Sequence, residues 1–128
     1  MDNRMFFSKN ERLSLRKDTD RLFDSGKTFV SYPLRIIYLP DAENHTLEYG
    51  ISVLISVPKK RIRHAVNRNL IKRLIRESFR LHKSETSAHY KLLEKRLHIA
   101  FIYQSNDIMK YADIAKAVKK ALDIIRRK

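Results

Sequence analysis

LEYGISVLISVPKKRIRHAVNRNLIKRLIRESFRLH, residues 47–82, reads as a strand, a basic loop and a long helix in immediate succession. Leu47, Tyr49, Ile51, Val53, Ile55 and Val57 alternate with Glu48, Gly50, Ser52, Leu54 and Ser56, a period-two pattern broken only at Leu54. Pro58 has no N–H to continue a ladder and ends the strand. From about Ala65 to His82 the apolar period becomes helical. At about 100° per residue, Arg68, Lys72, Arg76, Asn69, Arg80 and Arg73 share one arc of roughly 140°, opposite Leu70, Leu74, Leu81, Ile71 and Ile75. A helix built this way docks its apolar side on a core and offers its cationic side to a polyanion.

The charge around this helix is one-sided. Residues 58–80 carry nine Lys or Arg against one acid, Glu77, a net +8 of the formal +14. A helix face that is merely solvated mixes signs, with Glu supporting Lys four residues on. Here Arg68, Lys72, Arg76 and Arg80 repel at every i,i+4 step, each at a cost of a few tenths of a kcal/mol. A phosphate partner compensates that repulsion. The sequence pI of about 10.2 points the same way, towards nucleic acid ahead of an anionic membrane surface.

Outward from this stretch, 128 residues with 43% hydrophobic content suit one domain over 1–128, with 1–12 a polar lead-in. No cysteine is present, which excludes disulfides and thiolate metal sites. The N-terminus has no apolar signal region and no apolar run approaches about 18 residues, so a soluble cytoplasmic protein without a membrane partner is expected. Asp18 is expected to cap a short helix, TDRLFDS (19–25), stopped by Gly26. LRIIYL (34–39) between two prolines predicts a strand, DAENH (41–45) a turn, and KSETSAH (83–89) a polar linker. YKLLEK (90–95) suits a helical turn or two. LHIAFIYQ (97–104) predicts a strand with Leu97, Ile99, Phe101 and Tyr103 on one face. A last amphipathic helix, 111–127, turns Ile114, Val118, Leu122 and Ile125 inward. The order α-β-β-α-β-α makes a small α+β sandwich, a mixed sheet packed with helices.

Several functional classes fail on what they require. With Gly26 and Gly50 the only glycines, there is no GxxG clamp of a KH domain, and ISVLISV lacks the aromatics of an RRM strand. Asp18, Asp20 and Asp24 lie close in sequence, as in a metal-dependent nuclease, and Asp20 and Asp24 share a helical face, but Asp18 is better explained as a cap. The five histidines form no metal-binding or catalytic pattern; His64, just before the basic helix, could contact phosphate. Phe23, Tyr38, Tyr49, Phe101 and Tyr103 sit at core-like periodicities, whereas a single-stranded RNA site would leave a ring uncovered beside the basic loop. Phe79 falls about 20° from Arg68, inside the cationic arc, which leaves it either covered by a neighbouring element or part of an RNA surface.

AVNRNLIKRLIRESFR (65–80) resembles the signature helix of the protein subunit of bacterial ribonuclease P, A-V-x-R-N-R-x-K-R-x-x-R. ERLSLRKDTDRLFDSGK (11–27), GISVLISVPKKRIRHAV (50–66) and HIAFIY with the closing helix resemble that family's other segments, in order. The resemblance implies a ribosomal S5 domain 2-like sandwich that binds a catalytic RNA subunit and helps it remove the 5′ leader of precursor tRNA. It implies that the RNA, with Mg²⁺ bound mainly by RNA, carries out the hydrolysis. No catalytic residue, protein-bound metal or further protein partner is then required of this chain. By position it implies RNA-subunit contacts at Arg68, Asn69, Lys72, Arg73 and Arg76, with Arg80 on the same arc, and leader contacts at Phe23, Lys60 and Arg61, with Tyr38 or Ile37 completing the cleft. Three positions depart from the pattern: Leu70 replaces the second Arg of the R-N-R triplet, Thr19 replaces an aromatic, and Arg63 replaces a small residue. A ribosomal-type RNA-binding protein of the same fold is the alternative reading.

Overall fold

The computed structural model describes residues 16–40 and 50–127. Their elements are α1 (Arg16–Ser25), β1 (Lys27–Ser31), β2 (Leu34–Leu39), β3 (Gly50–Ser56), α2 (Ala65–His82), α3 (Ser84–Leu92), β4 (Arg96–Tyr103) and α4 (Tyr111–Arg127). The strands form one mixed sheet in the order β1-β2-β4-β3. β1–β2 and β2–β4 are antiparallel, and β3–β4 is parallel. A parallel neighbour needs a crossover of a dozen residues or more. The segment carrying the basic loop, α2 and α3 is that crossover.

Two elements go beyond the expected order. KTFVS is too short for its alternation to stand out, yet β1 gains a full antiparallel ladder from Lys27↔Tyr38 to Ser31↔Leu34. The expected linker at 83–89 is instead α3, which has no apolar stripe to reveal it: it buries only Thr86 and Tyr90. Asp18 is not a cap, because it lies inside α1, with Arg16 and Lys17 already helical before it. The strand foreseen over 47–57 is β3 from Gly50; Leu47 and Tyr49, with the turn at 41–45, lie outside the described residues.

Gly26 does end α1, through close approach. Its N–H donates to the Leu22 carbonyl at 2.8 Å. A Cβ there would collide with that carbonyl and lie 2.7 Å from Ile37 Cγ2, so only glycine lets α1 reach β2.

Alternation sorts the strands onto two faces. On one, Leu34, Ile36, Tyr38, Ile51, Val53, Leu97, Ile99, Phe101 and Tyr103 form the main core with Ile71, Ile75 and Phe79 of α2 and the apolar face of α4. On the other, Leu22 of α1 buries Ile37 and Ala100, while Leu39, Leu54 and Ile102 stay half-buried beside it. The sheet therefore separates the α2–α4 layer from α1.

Candidate nucleic-acid interface

The buried stripe of α2 is Ile71, Ile75, Ser78 and Phe79. Its centre is rotated by roughly 60° from that of the expected arc of leucines and isoleucines, towards Arg68. Leu81 is consequently exposed and Leu70 half-buried on the flank. Phe79 is fully buried, 6.1 Å from the Phe101 ring and with Lys83 Nζ 6.0 Å from its centroid. Of the two alternatives left open for Phe79, the covered one holds.

This rotation divides the six expected RNA-subunit contacts. Asn69, Arg73 and Arg76 are exposed on the outward side of α2, with Lys72 half-buried at its edge. Arg80 is half-buried and donates from Nε to Glu77 Oε2 at 3.3 Å, so the single acid of the stretch takes up that cation. Arg68 sits beside the buried stripe and turns back. Its Nη1 donates to the carbonyls of Ile62 at 3.1 Å and Arg63 at 2.7 Å.

The loop between β3 and α2 is anchored from below by Val57 and Ile62, both buried. The Pro58 carbonyl accepts from the amides of Arg61 (3.0 Å) and Ile62 (3.2 Å). Lys59, Lys60, Arg63 and His64 are left exposed. The Arg61 guanidinium lies 3.5 Å from both Gln104 Oε1 and Asn106 Oδ1, just past β4. The loop thus spans one end of the sheet, between the face under α1 and the layer holding α2.

Phe23 on α1 is 46% exposed and directly follows fully buried Leu22, whose side of the sheet carries a shallow trough of half-buried apolar residues that includes Leu54 and Ile102. Tyr38 does not belong to this trough. In the register Tyr38↔Ile99 it points to the opposite face, is 3% exposed and meets Phe29 edge-on at 5.7 Å. Its neighbour Ile37 is the residue on the α1 side. Gln104, Asn106 and the exposed Tyr32 were not foreseen. The Pro33 carbonyl accepts from the Gln104 amide at 2.8 Å, which brings the β1–β2 turn carrying Tyr32 to the loop's end of the sheet. The break at Ser105–Asn106 was the only signal for that corner in the sequence.

Among the described residues no group of three or more His, Asp or Glu could hold a metal ion. No helix of the described residues is long and apolar enough to cross a membrane.

The family model described as Ribonuclease P matches residues 7–126. A ribonuclease P protein component of Porphyromonas gingivalis (strain ATCC BAA-308 / W83) is 42% identical over 117 residues, covering 90% of this chain and 82% of that protein. The solved RNase P protein of Staphylococcus aureus superposes with a TM-score of 0.70 at 27% identity, over 91% of this chain and 96% of that one. The RNase P protein of Thermotoga maritima shares the fold, with a TM-score of 0.64 at 24% identity and coverage of 92% and 97%.

Proposed function

This chain belongs to the ribonuclease P protein family, and from that premise we propose how its surfaces divide the work of tRNA 5′ processing. The outward side of α2, with Asn69, Lys72, Arg73 and Arg76, docks on the catalytic RNA subunit. Phe23 and the trough beside α1, with Lys60 and Arg61 at the end of the sheet, receive the single-stranded leader of precursor tRNA. One observation carries this reading. The cationic helix and the half-exposed Phe23 lie on opposite sides of one sheet, with a basic loop running between them.

The chemistry follows from the side chains on offer. Lysine, arginine and asparagine donate to phosphate, the two cations attract its charge, and an aromatic ring stacks on a base. The same donors repel a divalent cation, so the Mg²⁺ that assists hydrolysis is held mainly by RNA. The protein's part is to neutralise phosphates and orient the leader, while the RNA subunit cleaves. No further protein partner enters this scheme, and the reading includes a cytoplasmic location. A ribosomal-type role is not favoured, since the family match spans nearly the whole chain.

Reconstitution tests the proposal. Purified protein, the RNA subunit and precursor tRNA are mixed at a Mg²⁺ concentration too low for the RNA alone. Cleavage is expected to rise sharply with protein; cleavage no better with protein than without contradicts the reading.

A further inference from the structure

We infer that Arg68 is a positioning residue, whose guanidinium holds the basic loop before α2 in the shape that presents Lys60 and Arg61 to the leader. The inference rests on the proposed leader role of that loop. Residues 58–64 hold four cations, Lys59, Lys60, Arg61 and Arg63, whose mutual repulsion favours an open, extended segment. His64 stands at the N-cap of α2 with no side-chain cap hydrogen bond, so the turn into the helix lacks its usual fastening.

Arg68 supplies a different fastening. Its Nη1 takes the Ile62 carbonyl at 3.1 Å and the Arg63 carbonyl at 2.7 Å, two consecutive acceptors in the segment that leads into the helix. The backbone amide of Arg68 also bonds the His64 carbonyl, at 3.0 Å. The Pro58 carbonyl closes the front of the loop through the Arg61 and Ile62 amides, and the buried Ile62 side chain pins its middle. Charge-assisted bonds to carbonyls are stronger than neutral ones. Arg68 is suited to this by its place on the helix, beside the buried stripe and well around from exposed Arg73. Loss of its side chain therefore releases the loop, and Lys60 and Arg61 with it.

Two measurements separate this role from a direct phosphate contact. The first is amide hydrogen exchange at Arg61 and Ile62 in the protein without RNA. Arg68→Ala is expected to speed both by about tenfold, the scale of one lost charge-assisted bond, while Arg73→Ala leaves them at the wild-type rate. The second uses holoenzyme saturated with protein and takes the affinity ratio between precursor tRNA and leaderless tRNA. Arg68→Ala is expected to shrink that ratio about threefold or more, Arg68→Lys to restore it only in part, and Arg73→Ala to leave it unchanged. If Arg68→Ala weakens RNA-subunit binding as Arg73→Ala does, with amide exchange and leader ratio at wild type, the inference is overturned. If exchange responds but Lys60→Ala with Arg61→Ala leaves the leader ratio intact, the inference fails at its functional end. A failed reconstitution leaves the exchange comparison standing and counts only against the proposed function.

Discussion

Replacing Phe79 by alanine decides between the two roles that the helical wheel leaves open to that ring. Phe79 is fully buried where α2 meets β4, tilted 58° against Phe101. Removing the ring forfeits on the order of 130 Å² of buried apolar surface, about 3 kcal/mol at 25 cal/mol/Å². The cavity left behind adds up to about 2 kcal/mol, to the extent that the surroundings fail to collapse. A loss of about 3–5 kcal/mol is therefore expected, which for a chain of this size lowers the melting temperature by roughly 10–20 °C. Urea unfolding followed by circular dichroism should show a lower midpoint with an unchanged slope. Below the transition, affinity for the RNA subunit should stay within about twofold of wild type, because the ring does not reach the surface. A loss of less than about 1 kcal/mol, with RNA affinity falling as it does for Arg73→Ala, would refute the reasoning and return Phe79 to the RNA face.

Leu70→Arg restores the missing member of the R-N-R triplet on a half-buried flank, where a long stem can lie along the surface. RNA-subunit affinity measured against salt should rise several-fold, with a slope steeper by about one, and the fold should lose less than about 1 kcal/mol. Phe23→Ala should weaken precursor tRNA binding by about 1–2 kcal/mol and leave leaderless tRNA unaffected, in a direct binding assay with the holoenzyme. The Tyr103 phenol is pushed above its ordinary pKa by burial, with its hydroxyl donating to the Asp107 carbonyl at 2.6 Å and accepting from the Met109 amide at 3.1 Å. Tyr90 is raised by burial and by Tyr38 nearby. An unfolded phenol ionises near about pH 10 while these stay neutral in the fold, so their stabilisation is complete below that pH and is lost above it. Urea titrations at rising pH should show stability declining above pH ~10, and less steeply in Tyr103→Phe than in wild type.

The helix that matters most was legible at its ends: 65–82 is strongly periodic and bounded by a proline-led basic loop and Lys83. Its rotation was not. Leucine and isoleucine weigh equally on a wheel, and nothing local shows that Ser78 and Phe79 are buried while Leu81 is exposed. For β4 the four large residues of one face were identified correctly, because their alternation runs over eight residues. Tyr38 and Ile37 stayed open as alternatives for the cleft because β2 is apolar on both faces; only its ladder with β4 fixes that Ile37 is the one that meets α1. The partners of Arg61 are more than forty residues away along the chain, and those of Arg68 are backbone carbonyls, which carry no residue signature. Composition therefore announced an RNA-binding surface, and tertiary packing decided which of its cations face outward.

The most direct test of that surface compares two double substitutions of equal charge. Arg73→Ala with Arg76→Ala removes two exposed cations from α2, and Lys116→Ala with Lys119→Ala removes two from α4. Affinity for the RNA subunit is measured for both across a salt series. The α2 pair is predicted to lose on the order of 100-fold, with a salt slope shallower by about 1.5, and the α4 pair less than about threefold. Equal losses from the two pairs would mean that net charge alone attracts the RNA, and would contradict the assignment of α2 as the docking face.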